Sequence, residues 1–401
     1  MRKRKLGANQ RDETADLFTP APLPVAELDD TQRLACLRLI RSENVGPTTF
    51  RELINHCGGA QAAIDALPHL SRKAGRGKPV HICPVEKALD ELETAARHGA
   101  QPIFTIEPGY PQRLAQIDFP PPLIYVRGNT ELLSAPSVGI VGARQASAAG
   151  TKLASIFGRG LGRAGLIVVS GLARGIDSAA HEASLETGTV AVLAGGLDIV
   201  YPPENAGLHE QIAETGCLVS EMPCGFQPRG RDFPRRNRLI SGLSLGILVV
   251  EAARRSGTLT TARQAAEQNR SLFAIPGNPL DPRAEGTNFL LKNGATLVTE
   301  PSDILESLAP MTGSPGEFRE VVMEDAVFDS PAIHPVTDPD SGDRASVMAT
   351  LGPAPVAIDD IVRATGLDIR TIRSVLIELD LAGLTERHGA QLVSLSTRPH
   401  S

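Results

Sequence analysis

Hydrophobic and polar positions change rhythm three times along the chain. From Thr31, Leu34, Leu37, Leu39 and Ile40 form a helical stripe, which Val45-Gly46-Pro47 interrupts before Phe50, Leu53 and Ile54 resume it. This spacing predicts short helices around a tight turn over 31–100, either a SAM-like or helix-hairpin-helix element or a plain small bundle. Over 101–306, short β-rich runs alternate with amphipathic stretches. The runs Val138–Val141, Leu166–Ser170, Val190–Leu193, Cys217–Ser220, Leu245–Val250 and Ser271–Ile275 read as strands. Helices are predicted at Ala148–Arg163, Ile176–Thr187, Leu208–Thr215, Asn237–Leu243, Leu259–Gln268 and Asn288–Lys292. Near-continuous apolar strands belong to a sheet covered on both faces, so this pattern predicts an α/β, Rossmann-like, doubly wound parallel sheet.

The third rhythm runs over 344–397. Ile358, Ile361 and Val362 share one helix, Gly366-Leu367-Asp368 turns, and Ile369–Leu381 is a second amphipathic helix. Leu384–Arg387 and Gln391–Val393 then pair through His388-Gly389-Ala390, completing a winged-helix plan. Residues 1–30 read as a disordered arm, and 307–343, rich in Pro, Gly, Ser and acid, as a linker.

Composition narrows the class. Of 401 residues, 41% are hydrophobic and 21% charged, ordinary for globular domains. No apolar run approaches the roughly 20 residues of a membrane span, and the basic start Met1–Lys5 is not followed by an apolar core of a secretory signal. Five Cys without a CxxC pair suggest reduced thiols and a cytoplasmic protein, not a disulfide frame or zinc site. Net charge is −6, yet Glu317–Asp343 alone carries −7, which leaves the rest of the chain at +1. Within that remainder, Gln227–Ile240 holds five Arg against Asp232 alone. Charge segregation therefore keeps nucleic acid in play as a partner.

Ligands of doubly wound sheets gather beyond the carboxyl ends of the strands. Here those ends read Gly142-Ala143-Arg144, Ser170-Gly171-Leu172-Ala173-Arg174-Gly175, Gly195-Gly196, Ser220-Glu221, Glu251 followed by Ser256-Gly257-Thr258, and Pro276-Gly277. Glycines let backbone N–H groups approach an anion, and Arg144 and Arg174 add forked cationic donors, so a phosphate-binding rim is expected. The first strand and its turn, Gly139-Ile140-Val141-Gly142-Ala143-Arg144, lack GxGxxG, no GxxxxGK[ST] occurs, no metal-ligand spacing occurs, and no cofactor is expected.

Phe233-Pro234-Arg235-Arg236-Asn237-Arg238 combines dense positive charge with an aromatic face on which an unpaired base can stack. Ahead of a helix at Asn237, Arg238 is expected to face the rim, with Arg235 or Arg236 in solvent. Catalytic constellations are thin. Asp177 and His181 lie one helical turn apart, as an acid/base pair or as a histidine held by a local hydrogen bond. Glu221 and Glu251 end strands, where they can act as acids or position Arg174 or Arg238.

Taken together, Gly142-Ala143-Arg144, Ser170-Gly171-x-Ala173-x-Gly175-Ile176-Asp177-x-x-Ala180-His181, Tyr201-Pro202-x-Glu204-Asn205, Phe233-Pro234-x-Arg236-Asn237-Arg238, Ser256-Gly257-Thr258 and Gly286-Thr287-Asn288 resemble the bacterial DNA-processing protein A (DprA/Smf) family. The resemblance implies a protein that is not an enzyme: it binds single-stranded DNA, protects it during natural transformation and loads the RecA recombinase. It also implies a homodimer through the Rossmann-like domain. By that resemblance Arg144 contacts phosphate, Phe233 with Arg235–Arg238 lines the strand, and the 170–175 and 256–258 loops supply backbone donors. Asp177, His181, Glu221 and Glu251 would support the pocket. Ala143 stands where the family commonly has Ser or Thr, so one hydroxyl donor is missing. Two alternatives are a nucleotide-binding phosphoribohydrolase of the lysine-decarboxylase-like type and a winged-helix transcription factor. The first lacks the Glu expected after Gly257-Thr258. The second would need more basic charge on Ile369–Leu381, where Arg370 and Arg373 are offset by Glu378 and Asp380.

Overall fold

A computed structural model describes residues 27–73, 80–312, 339–389 and 391–396. Four helices open the described chain: α1 (Asp30–Ile40), α2 (Pro47–Cys57), α3 (Ala60–Lys73) and α4 (Val85–Arg97). Asp29 begins α1 with a reciprocal capping box to Gln32, so helix starts one residue inside the expected arm. The rest of that arm, 1–26, lies outside the described residues. Pro47 opens α2 at its first turn, where its missing N–H costs nothing, and Gly58 ends it in the left-handed region.

The central domain follows as β1 (Gln101–Phe104), α5 (Gln112–Ala115), β2 (Leu123–Gly128), β3 (Ser137–Val141), α6 (Ala148–Arg163), β4 (Ile167–Ser170), α7 (Ile176–Ser184), β5 (Thr189–Leu193), α8 (Ala206–Thr215), β6 (Cys217–Ser220), α9 (Asp232–Leu243), β7 (Gly246–Val249), α10 (Gly257–Glu267), β8 (Ser271–Ala274), α11 (Glu285–Lys292), β9 (Thr296–Leu297) and α12 (Pro301–Thr312). Strand order is β1-β2-β6-β5-β4-β3-β7-β8-β9. From β6 to β9 every pair is parallel, as the continuous apolar runs predict. The sheet is nevertheless mixed, because β2 joins β6 and β1 joins β2 antiparallel. β3 lies between β4 and β7 and marks the switch point at which the winding reverses.

Side chains pack on both faces. Phe157 and Leu161 of α6 cover Ile140, Val168 and Leu248, while Leu239 and Leu243 of α9 cover Val169, Val192 and Ile247. A third cluster joins α1–α4 to the sheet residues Tyr125, Leu193 and Leu218 and takes in Ile377 and Leu381 from the C-terminal domain. A polar clamp reinforces it: Arg41 grips Glu91 at 2.7 Å, and the Tyr125 hydroxyl donates to the same carboxylate.

The C-terminal domain comprises α13 (Ser341–Thr350), β10 (Val356–Ala357), α14 (Ile358–Thr365), α15 (Ile369–Leu381), β11 (Thr385–Arg387) and β12 (Leu392–Leu395), its strands ordered β10-β12-β11. This is the expected winged-helix plan with α13 added in front. The linker expected over 307–343 is shorter at both ends, since α12 runs to Thr312 and α13 begins at Ser341; 313–338 lies outside the described residues.

Candidate nucleic-acid interface

Two loops at the switch point are stitched together. Gly175 has φ +79°, and a Cβ there would come within 2.4 Å of the Ala143 carbonyl oxygen. A Cβ on Gly142 would lie 2.5 Å from Ile176 Cγ1. Only glycine permits both approaches. Ile176 N–H donates to the Ala143 carbonyl at 3.3 Å, and Thr258 Oγ1 donates to that of Gly142 at 3.1 Å.

Above these loops opens a cleft of about 330 Å³ lined by Arg144, Gly171, Ala173, Arg174, Tyr201, Pro202, Phe233 and Arg236. The Arg144 guanidinium sits 5.2 Å from the Phe233 ring centroid. Tyr201, half exposed, meets the other side of the cluster with its ring centroid 5.2 Å from that of Phe233, tilted by 52°. A cation and two aromatic rings therefore share one opening. Arg174 lies beside them and pairs with Glu204 at 2.5 Å, both side chains about 60% exposed.

The cleft floor is a buried polar framework. Asp177, in the first turn of α7, accepts the N–H groups of Gly171 and Ala173 at 3.2 and 3.4 Å. These donors, expected to meet phosphate, are engaged inside the loop. Ser170 likewise faces inward, its hydroxyl donating to the Ile140 carbonyl. Leu172 adopts φ +54°, and its carbonyl accepts from Asn205 Nδ2 at 2.9 Å, which holds an unfavourable conformation in place.

Arg236 is the largest departure from the sequence reading. Of the two arginines of which one is expected in solvent, Arg235 is exposed and Arg236 is buried, and the Arg236 Nη1 donates to the carbonyls of Gly171 and Val192 while Nε donates to Asn237 Oδ1. Burial lowers its pKa to about 10, partly offset by Asp177, so the guanidinium stays charged at neutral pH. Burial likewise holds the Asp177 carboxyl above its ordinary range despite Arg236 and the two backbone donors. The helix also starts earlier than expected: Phe233–Arg238 lies within α9, because proline is tolerated in a first turn.

Arg235 and Arg238 both pair with Glu221 at 2.7 Å, and Arg238 also donates to the Phe119 carbonyl. Neither lines the cleft; Arg238 meets the strand ends at Glu221, where its guanidinium is already engaged. Glu251 positions neither Arg174 nor Arg238. It accepts from Ser147 N–H at 2.9 Å and from the Ser147 hydroxyl at the start of α6. Ser256, Gly257 and Thr258 begin α10 outside the cleft.

His181 is fully buried, with Nδ1 2.8 Å from Thr189 Oγ1. That hydroxyl donates to the Val168 carbonyl, so it accepts from Nδ1–H. Burial pushes the imidazole down to about 3, leaving it neutral, and it forms no pair with Asp177. Tyr201 and Pro202 were missed as cleft residues. Their signal was present in Tyr201-Pro202-x-Glu204-Asn205, an exposed aromatic in a chain with only 3% aromatics.

Comparison with known proteins places this arrangement. Residues 101–309 match the family described as DNA recombination-mediator protein A. The chain belongs to that family. Residues 30–94 match its N-terminal helix-hairpin-helix domain and 331–391 its winged-helix domain. The chain is 33% identical to Protein Smf of Synechocystis over 86% of this chain and 94% of the relative. It is 41% identical to DNA processing protein DprA of Streptococcus pneumoniae over 54% of this chain and 78% of the relative. The solved structure of the S. pneumoniae protein superposes with TM-score 0.57 at 33% identity, covering 69% of this chain and 96% of that one. Among the described residues, no helix is long and apolar enough to cross a membrane, and no cluster of His, Cys, Asp or Glu could hold a metal ion.

Proposed function

We propose that this member of the recombination-mediator family binds single-stranded DNA through the cleft, protects it, and passes it to the RecA recombinase during natural transformation or homologous recombination. The juxtaposition of Arg144, Phe233 and Tyr201 carries the reading. An unpaired base offers a π-face to the rings and the guanidinium plane, while its phosphates meet Arg144 and, once Glu204 is displaced, Arg174. A duplex, whose bases are stacked and paired, would offer them nothing to hold. Glu251 and His181, residue types capable of acid/base work, are engaged by Ser147 and Thr189, which favours binding over catalysis.

The reading further assigns the cytoplasm, where the five thiols stay reduced, and a homodimer through the central domain. Leu280, Phe289 and Leu297 of the central domain are exposed apolar side chains that a second copy could cover. Titration with oligo-dT and a matched duplex at two salt concentrations tests the central claim. Salt-sensitive preference for the single strand is expected, and Arg144→Ala should weaken binding and flatten the log K against log salt slope by about 0.7 per lost phosphate contact. Equal, feeble binding to both ligands would overturn it.

A further inference from the structure

In a helix-turn-helix the second helix is the one that lies in a duplex groove. Here that helix, α15, is covered on two sides. Ile372, Val375, Leu376 and Leu379 enter the core of their own domain. Ile377 and Leu381 enter the core shared by α1–α4 and the large sheet. Asn44, at the turn before α2, donates from Nδ2 to the Leu381 carbonyl at 3.0 Å. Only the first turn, with Ile369, Arg370, Thr371 and Arg373, keeps appreciable exposure.

A charged cluster closes this junction. Arg387 on β11, its side chain 8% exposed, reaches Glu52 of α2 at 2.9 Å and Asp380 of α15 at 2.8 Å. Asp380 also accepts from the Thr385 hydroxyl. Two carboxylates thus share one guanidinium, whose Nη1 is buried without a partner. The more distant charges facing Glu52 are Arg373 of α15 and Arg51 of α2. Separation of the domains would return all these groups to water, whereas closure confines an excess negative charge between them.

We propose that the C-terminal domain is a latch: it docks in cis on α2 and α3 through α15 and the wing, is fastened by Arg387 between Glu52 and Asp380, and holds more tightly at acid than at alkaline pH. While latched, α15 is a protein-contact helix and does not read duplex DNA.

The direction of the pH response follows from Glu52. Burial, opposed by Arg387 and reinforced by Asp380, raises its pKa from 4.5 to about 7 when the domains are docked. Docking therefore retains a proton that the separated state gives up. The latch is tightest below pH 4.5 and loses that contribution as pH rises through 7. Between pH 6 and pH 8 the docking equilibrium should weaken by about tenfold.

Hydrogen exchange on the full chain tests this, with rates divided by the intrinsic rate at each pH and peptides of β3 and β7 as internal reference. In the wild type, protection of the Phe50–Ile54 and Ile377–Leu381 segments should fall about tenfold relative to the reference from pH 6 to pH 8. Glu52→Gln, an isosteric stand-in for the protonated acid, should hold its protection at both pH values. Arg387→Met should lower protection at both, confined to the junction. Equal wild-type protection at the two pH values, a Glu52→Gln response that tracks the wild type, or unchanged protection in Arg387→Met would overturn the proposal.

Discussion

Replacing Arg236 with methionine separates a framework role from a ligand role. In the wild type, Nη1 donates to two carbonyls and the charge stands beside Asp177. Charge-assisted hydrogen bonds contribute roughly 1.5–3 kcal/mol each, so their loss costs about 3–6 kcal/mol. Against this, the substitution removes a buried charge whose pKa falls from 12.5 to about 10 through burial and Arg144, offset by Asp177, a net cost of about 3 kcal/mol to the charged form. Methionine would also leave two buried carbonyls unpaired and Asp177 without its compensating charge, which adds about 1–3 kcal/mol. A net loss of about 1–6 kcal/mol is expected, enough to lower the melting temperature by roughly 2–24 °C. Thermal unfolding followed beside single-strand titration is the assay, with Arg144→Ala as the control that should leave stability within about 0.5 kcal/mol. An Arg236→Met protein that melts like the wild type yet loses single-strand affinity would refute the reasoning and make Arg236 a direct contact.

Other expectations concern the cleft and the core. Phe233→Ala should cost roughly 1–3 kcal/mol of single-strand affinity with the salt slope unchanged, as measured by oligo-dT titration; unchanged affinity would remove the ring from the strand path. Glu204→Gln frees Arg174 from its carboxylate and should tighten binding at low salt by up to several-fold, whereas weaker binding would make Glu204 a contributor to the site. His181 takes a proton in the unfolded chain but stays neutral when buried, with its pKa lowered from 6.5 to about 3. Stability should therefore fall as pH drops below 6.5, by up to about 1.4 kcal/mol per unit. Urea unfolding of wild type and His181→Asn across pH 4–7 should show a flatter profile in the variant.

The parallel half of the sheet was legible because strands buried on both faces must be apolar throughout. β3 to β8 fall within a residue or so of the expected runs, and α6 coincides with its prediction. β1 and β2 escaped notice. Leu123–Val126 follows three prolines and pairs antiparallel at the far side of β6, where neither helix alternation nor a hairpin turn announces it. The cleft was legible in its glycines and in Arg144, Arg174 and Phe233. Arginine identity, however, does not tell burial: Arg236 and Arg238 look equivalent in sequence, yet one props up the Gly171 loop and the other is shared with Glu221 and Phe119. That distinction depends on carbonyls brought from β5 and the 170–175 loop, which no local pattern encodes. The docking of α15 was equally hidden. Its apolar positions satisfy one face of an amphipathic helix, and Ile377 and Leu381 reveal a second buried face only once the N-terminal helices are in place.

The core that runs through α1–α4, the sheet and α15 bears on how such a chain can be recombined with its relatives. Seams that look clean in the sequence, at residue 100 and near 340, cut through a surface where Tyr125, Leu193, Leu218, Ile377 and Leu381 share neighbours. A chimera assembled at those seams would join side chains shaped against different counterparts. Its faults would surface as mispacking far from the splice. Domain exchange in this architecture therefore requires the N-terminal helices and the last helix of the wing domain to travel as a pair, although more than two hundred residues separate them along the chain.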